Sequence, residues 1–439
     1  MLTRICFGLL LLVALPAWSQ VDPSATGPSP ASEEPMRTPP PVSGASYPTA
    51  TGSEARSNYL RAGAYFETAY DDNVLGIDST APVADITYSI RPTITLDQVN
   101  ARRHQSFTYS PSFTFYQRTS ARNEADEVAS ATFQYRLSPH MTVDARDAFV
   151  KTTNVLDQLD GGVSGFTQSP VIAVVAPFAD QLRNAASGEI SYQVDRDGMI
   201  GGGASSTVLN YPNPGQASGL LSSHSTGGSA FYNLRLSSKQ YIGATYLYSR
   251  TSSKLAIGES QVATQTLYAF YTLYLRHALS LSLSGGPQYS VVSQSTLPSS
   301  SSWGPAISAS AGWQGTRTSC SGSYARTVTG GDGLPGSFHS NSANADARWQ
   351  WARTWTLGTS GSYVVTKNAT PLSFISSPGG HSVSATAHVE HPIGERWTAA
   401  FGYTRLHQSY TGLSLITANP DSDREFVSLS YQFTRPLGR

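Results

Sequence analysis

The stretch "NADARWQWAR", residues 344–353, decides the fold. Alternate positions separate Asn344, Asp346, Arg348 and Gln350 from Ala345, Ala347, Trp349 and Trp351. A β-strand sends successive side chains to opposite faces, so one face is polar and the other apolar and aromatic. A water-soluble sandwich would bury the apolar face in a core. A membrane barrel would turn it to lipid and close the polar face around a lumen. The solvent met by Trp349 separates the two.

The period recurs along the chain. "ADITYSIRPTITLD" (84–97) sets Ile86, Tyr88, Ile90, Ile94 and Leu96 against Asp85, Thr87, Ser89, Arg91, Thr93, Thr95 and Asp97. "QSFTYSPSFTFYQ" (105–117), "ALSLSLSGG" (278–286) and "FVSLSYQF" (426–433) repeat it. Connections alternate in length. Short turns are expected near 98–104 and at 137–140, 195–198, 237–239, 276–277, 315–316, 353–354 and 392–395. Longer Gly/Ser/Pro/Asn-rich loops are expected at 71–82, 118–127, 154–185, 211–224, 252–260, 293–302, 330–339, 368–381 and 409–423. Eight turns and nine loops require 18 strands, with 16 as the second choice. About 10–14 residues per strand suits a tilted transmembrane strand, which needs about 9–11.

Composition favours the membrane reading. Charged residues are 13% of the chain, against about 25% in ordinary globular proteins. The polar strand face is chiefly Ser, Thr, Asn and Gln, where a soluble sandwich would show Lys and Glu. Aromatic residues gather towards strand ends, as in Trp349, Trp351, Trp355 and Trp397, and amphipathic rings favour the bilayer interface. The expected fold is an all-β, antiparallel up-and-down transmembrane barrel over residues 57–439. Its turns would be periplasmic, its long loops extracellular, and Trp349 would face lipid.

The flanking sequence fits that address. "MLTRICFGLLLLVALPAWSQ" has a charged start, a short apolar run and small residues Ala17 and Ser19, so residues 1–19 read as a signal peptide. Residues 20–56, dense in Pro, Ser and Thr, read as a disordered periplasmic tether. Without Cys6 in the leader only Cys320 remains, and no internal disulfide is possible. Lys+Arg 29 against Asp+Glu 29 argues against nucleic acid as a partner.

At "YFETAYDDNVLG" (65–76) a strand ends in Tyr70 and Asp72-Asn73-Val74 opens a loop. Together with "RPTITLD" in the next strand, this resembles a family of outer-membrane β-barrel porins encoded beside exopolysaccharide genes. The resemblance implies an outer-membrane location in a Gram-negative envelope and passage or secretion of polysaccharide. It implies no catalytic residues. Outer-membrane barrels commonly end on an aromatic residue read by the barrel assembly machinery. Here Phe433 is followed by "TRPLGR", which leaves that signal internal.

Chemistry beyond transport finds little support. "AHVEHP" places His388 and Glu390 on one strand face with His391 on the other, so a metal site would lack a third ligand. The "GGG" at 201–203 has no following helix or Lys and is not a phosphate loop. No catalytic, cofactor-binding or metal residues are assigned, and no cofactor is expected.

The polar face supplies the lumen-lining candidates: Asp85, Arg91, Asp97, Arg136, Asp144, Arg146, Glu189, Asp195, Arg235, Asp346, Arg348 and Glu390. Both signs occur in similar number, which suits neutral or weakly charged solutes or cross-lumen ion pairs. The longest loop carries an apolar run between Pro170 and Pro177, so Val171, Ile172, Val174, Val175 and Phe178 are constriction candidates. The expected function is a channel for polar solutes, saccharide or exopolysaccharide among them, with membrane lipids as surroundings. The alternative is a non-conducting barrel whose loops bind a surface polysaccharide or envelope partner. Arg at Ser282, on the polar face, is expected to be tolerated better than Arg at Ala347.

Overall fold

The computed structural model describes residues 58–75, 82–100, 102–153, 179–213, 220–254, 258–276, 279–295, 297–330, 334, 336–369, 379–411 and 421–436. The leader 1–19, the tether 20–56 and the constriction candidates Val171–Phe178 lie outside the described residues. The first six strands are β1 (Tyr59–Asp71), β2 (Asp85–Val99), β3 (Arg103–Tyr116), β4 (Glu124–Arg136), β5 (Met141–Thr152) and β6 (Gln181–Gln193). Then come β7 (Gly198–Asn210), β8 (Ser223–Ser237), β9 (Gln240–Lys254), β10 (Glu259–Arg276), β11 (Leu279–Gln294) and β12 (Leu297–Gln314). The last are β13 (Thr318–Thr329), β14 (Phe338–Gln350), β15 (Thr356–Asn368), β16 (Gly379–Ile393), β17 (Trp397–Thr411) and β18 (Asp421–Pro436).

Each strand pairs antiparallel with its sequence neighbours, and β1 pairs β18 from Tyr59↔Pro436 to Asp71↔Arg424. The 18-stranded sheet is therefore closed, which satisfies its backbone without a helix. No helix among the described residues is long and apolar enough to cross a membrane, and a barrel crosses with strands instead. Short connections and the barrel's two terminal strand ends share one rim, the turn end. The longer connections, together with the short ones at 255–258 and 295–296, share the other, the loop end.

Nine strands keep the expected 10–14 residues and nine exceed it, reaching 18 residues in β10 and β12. The loop expected at 293–302 shrinks to 295–296, and that at 252–260 shrinks to 255–258. Ser299–Ser302 read as loop by composition, yet β11 supplies ladder partners as far as Gln294↔Leu297. Pairing overrides composition there.

Directly paired residues share a face, so the pairing assigns every side. Leu283 is 60% exposed while Ser282 and Ser284 are buried, which sets apolar outward and polar inward. Asn344, Asp346 and Arg348 point inward, and Ala345, Ala347 and Trp349 point outward. Trp313, Trp349 and Trp397 stand outward at the turn end, with Trp351 and Trp355 in the adjoining turn. On β12, Trp303 is outward ten residues above Trp313. At a tilt near 45° this separates the two rings by about 25 Å along the barrel axis, the height of a lipid-facing band. Charged side chains also take outward positions: Arg326 opposite Ile307, Glu425 opposite Tyr70, Arg405 opposite Asp423, and Asp147, which accepts a hydrogen bond from Asn184 Nδ2 at 3.1 Å.

Candidate functional site

The lumen wall has two unlike halves. Towards the loop end its polar side chains are buried: Thr87, Ser89, Ser112, Thr114, Asp126, Gln181, Ser260, Ser290, Thr366, Gln408 and Ser422. Hydroxyl pairs such as Ser89–Thr114 at 3.0 Å and Ser290–Ser302 at 2.7 Å satisfy part of this wall. Towards the turn end on β3 and β4, His104, Thr132, Gln134 and Arg136 are exposed. The β9–β11 sector stays buried down to the turn end, where Tyr241 and Tyr274 meet edge to face at 5.9 Å. Two strands from β9, β7 makes room for a ring: a Cβ on Gly201 would lie 2.2 Å from Phe231 of β8, so only glycine fits beneath it.

The covering of the loop-end half begins with two prolines. Pro287 and Pro305 stand opposite one another in the β11–β12 ladder. Neither has an N–H, so this is a non-hydrogen-bonded pair and the Pro305 nitrogen faces β13. Ile307, two residues on, faces the same way, and Ile307↔Arg326 is the last pair between β12 and β13. The next rung would join Pro305 to Val328 and lacks its donor.

Gln288, buried on the inward face of β11, supplies the missing partners. Val328 N–H donates to its Oε1 at 2.7 Å, and its Nε2 donates to the Val328 carbonyl at 3.1 Å. The upper end of β13 thus parts from β12, stays paired with β14 as far as Thr329↔Phe338, and touches β10 and β11. A Cβ on Gly330 would come within 2.6 Å of Thr251 on β9. Beyond it, Leu334 and Phe338 are fully buried in one apolar cluster with Ala179, Leu209, Tyr211, Leu220, Val364 and Tyr410. In the ring order β7, which carries Leu209, stands across the lumen from β15 and β17, which carry Val364 and Tyr410. The cluster therefore bridges the lumen near the loop end.

The lumen candidates scatter through this frame. Asp85, Arg91, Asp97, Arg136, Asp144, Arg146, Glu189, Asp346, Arg348 and Glu390 lie on inward strand positions. Asp85 is consumed by the β3–β4 connection, accepting from Thr119 N at 2.8 Å, Thr119 Oγ1 at 2.7 Å and Arg118 N at 3.0 Å. Asp195 is not on a strand: β6 ends at Gln193, and its carboxylate accepts from the backbone of Asp197 and Gly198 to cap the turn. Arg235 reaches the same turn, pairing with Asp197 at 3.0 Å. Arg91 lies 6.0 Å over the Tyr65 ring, and Asp97 meets His104 at 3.1 Å.

Glu390 is shared between His388 at 3.3 Å and Arg348 at 3.7 Å. Its carboxylate serves an imidazole and a guanidinium, and His391 turns outward to stack on Trp355. Among the described residues no group of three His, Cys, Asp or Glu could hold a metal ion.

Sequence reasoning missed a buried ion pair on the inward face, Glu67 with Arg424. Both are mostly buried, and Tyr65 Oη also donates to Glu67 at 2.5 Å. It missed Gln288 and Pro305 as well. Proline inside a strand was the available signal, since it removes a rung wherever its nitrogen faces a neighbour.

No protein-family model matches the sequence, and no curated protein matches it. Among solved structures the chain is similar to Pseudomonas aeruginosa OpdQ, at 12% identity and a TM-score of 0.42, over 86% of this chain and 99% of that one. It is similar to Pseudomonas aeruginosa OccK2 (OpdF), solved in complex with glucuronate, at 10% identity and TM-score 0.44, over 86% and 98%. Acinetobacter baumannii OccAB4 gives 7% identity and TM-score 0.43, over 87% and 100%. The strand ladder alone carries the fold.

Proposed function

We propose that this chain is an outer-membrane channel for polar solutes, saccharides among them, with the turn end periplasmic and the loop end extracellular. One observation carries the reading: the sheet closes with an apolar, Trp-banded face outward and a polar face inward. Such a cylinder is stable only where its outside meets hydrocarbon and its inside meets water. In this reading Arg91, Asp97, Asp144, Arg146, Glu189, Asp346, Arg348 and Glu390 meet the solute. Their mixed signs favour neutral or weakly charged molecules over an ion of one sign.

The apolar cluster across the loop-end half favours a second reading, a barrel that does not conduct and presents its loops to an envelope partner or surface polysaccharide. Single-channel recording in a planar bilayer separates the two. The channel reading expects discrete conductance that added saccharides reduce. Folded protein that never conducts would establish the second reading.

A further inference from the structure

The channel reading leaves one feature unexplained, the point where β13 parts from β12. Three observations meet there. Pro305 deprives the β12–β13 ladder of one donor at the rung just beyond Ile307↔Arg326. Gln288, on the neighbouring strand, offers one acceptor and one donor to Val328, both hydrogen bonds that the rung would have made. Beyond the break, β12 continues to Leu297, paired with β11 but with no β13 partner.

The sequence of the departing segment also fits the place it has left. Continuing the β12–β13 register would set Thr327 against Ala306, Val328 against Pro305 and Thr329 against Gly304. In that position Thr327 and Thr329 would face the lumen and Val328 would face outward, the same polar-in, apolar-out pattern as the rest of the barrel. The ladder with β14, which runs to Thr329↔Phe338, holds the same alternation in the position described here, so zipping onto β12 would need no change of facing.

We infer that the upper end of β13 is a gate with two positions. In the inward position described here, the Gln288 amide holds Val328 and the loop end is narrowed. In the other, Thr327–Thr329 zips onto Ala306–Gly304, carrying the tip out of the lumen and restoring a continuous wall. Pro305 keeps the zipped position from winning outright, because that rung has one hydrogen bond in place of two. Gln288 sets the balance from the other side. The word gate rests on the channel reading; the movement does not.

The zipped position can be trapped. Gly304 and Thr329 would form a non-hydrogen-bonded pair there, with Cα atoms about 4.5 Å apart, within the span of a disulfide. In the inward position a Cβ on Gly304 meets only His339, at 3.7 Å, so the cysteine is accommodated and has no thiol partner. The test uses full-length protein in detergent, in a Cys320→Ser background because Cys320 is an exposed free thiol. The Gly304→Cys/Thr329→Cys protein should form the disulfide under mild oxidation, and adding Gln288→Ala, which removes both hydrogen bonds to Val328, should speed it at least about tenfold. Heat-modifiable mobility on a gel shows that each variant is folded. Folded protein that forms no disulfide in either background, or forms it at one rate in both, would overturn the gate. Conductance of the oxidised protein then judges the reading beneath it. A rise supports both, and an oxidised protein that is as silent as the reduced one removes the channel while leaving the movement.

Discussion

Glu67 with Arg424 and Glu390 with Arg348 are the same two chemical groups in two settings. The first pair lies in the loop-end half of the lumen wall, with side chains 13% and 12% accessible. The second lies towards the turn end, 34% and 59% accessible, with His388 competing for the carboxylate. Burial decides what each pair does. Two charges held out of water depend on each other, and removing one strands its partner at a cost of several kcal/mol. Two charges in water are nearly independent and free to meet a solute. The loop-end half is built as structure and the turn-end half, outside the β9–β11 sector, as a wet surface, although both use the same polar residue types.

The widest gap between the halves should appear in that comparison. Glu67→Ala is expected to lower stability by about 3–5 kcal/mol, read from the urea dependence of the heat-modifiable form. Phe338→Ala, in the apolar cluster across the lumen, should cost about 3 kcal/mol in the same assay. A loss under 1 kcal/mol at both sites would mean that the loop-end half is as wet as the other.

The outward face sharpens the same contrast by depth. Ala345→Arg, near mid-strand on β14, should cost about 2–4 kcal/mol, because it places charge at the bilayer midplane. Ala347→Arg lies beside the Trp349 girdle and should cost about 1 kcal/mol or less. Equal costs would contradict the position assigned to the band. Glu390→Gln should have the smallest effect on stability, within about 1 kcal/mol, and should alter only the charge preference of the conductance.

Much of this was legible in the sequence. The facing of Trp349 follows from period two alone, and the turn at 137–140 is punctuated by its own residues. Strand extents were harder. Ser299–Ser302 carry loop composition, and only pairing with β11 makes them strand. The expectation that Arg would be tolerated better at Ser282 than at Ala347 assumed a wet position, whereas the Ser282 hydroxyl sits buried 3.0 Å from that of Thr272. Alternation says which face a residue takes, but not whether that face is wet. The narrowing by Leu334 and Phe338 was out of reach for the same kind of reason. It depends on Pro305 meeting Val328 in register and on Gln288 standing within reach, and no local pattern encodes a meeting of three strands.

The central claim is that a polar lumen exists and is narrowed near the loop end by Leu334 and Phe338. The most direct test compares the single-channel conductance of the parent with that of Leu334→Ser/Phe338→Ser, each shown by heat-modifiability to be folded. The account predicts a severalfold larger conductance in the variant, with larger saccharides admitted. Equal conductance in two folded barrels, or none in either, would contradict it.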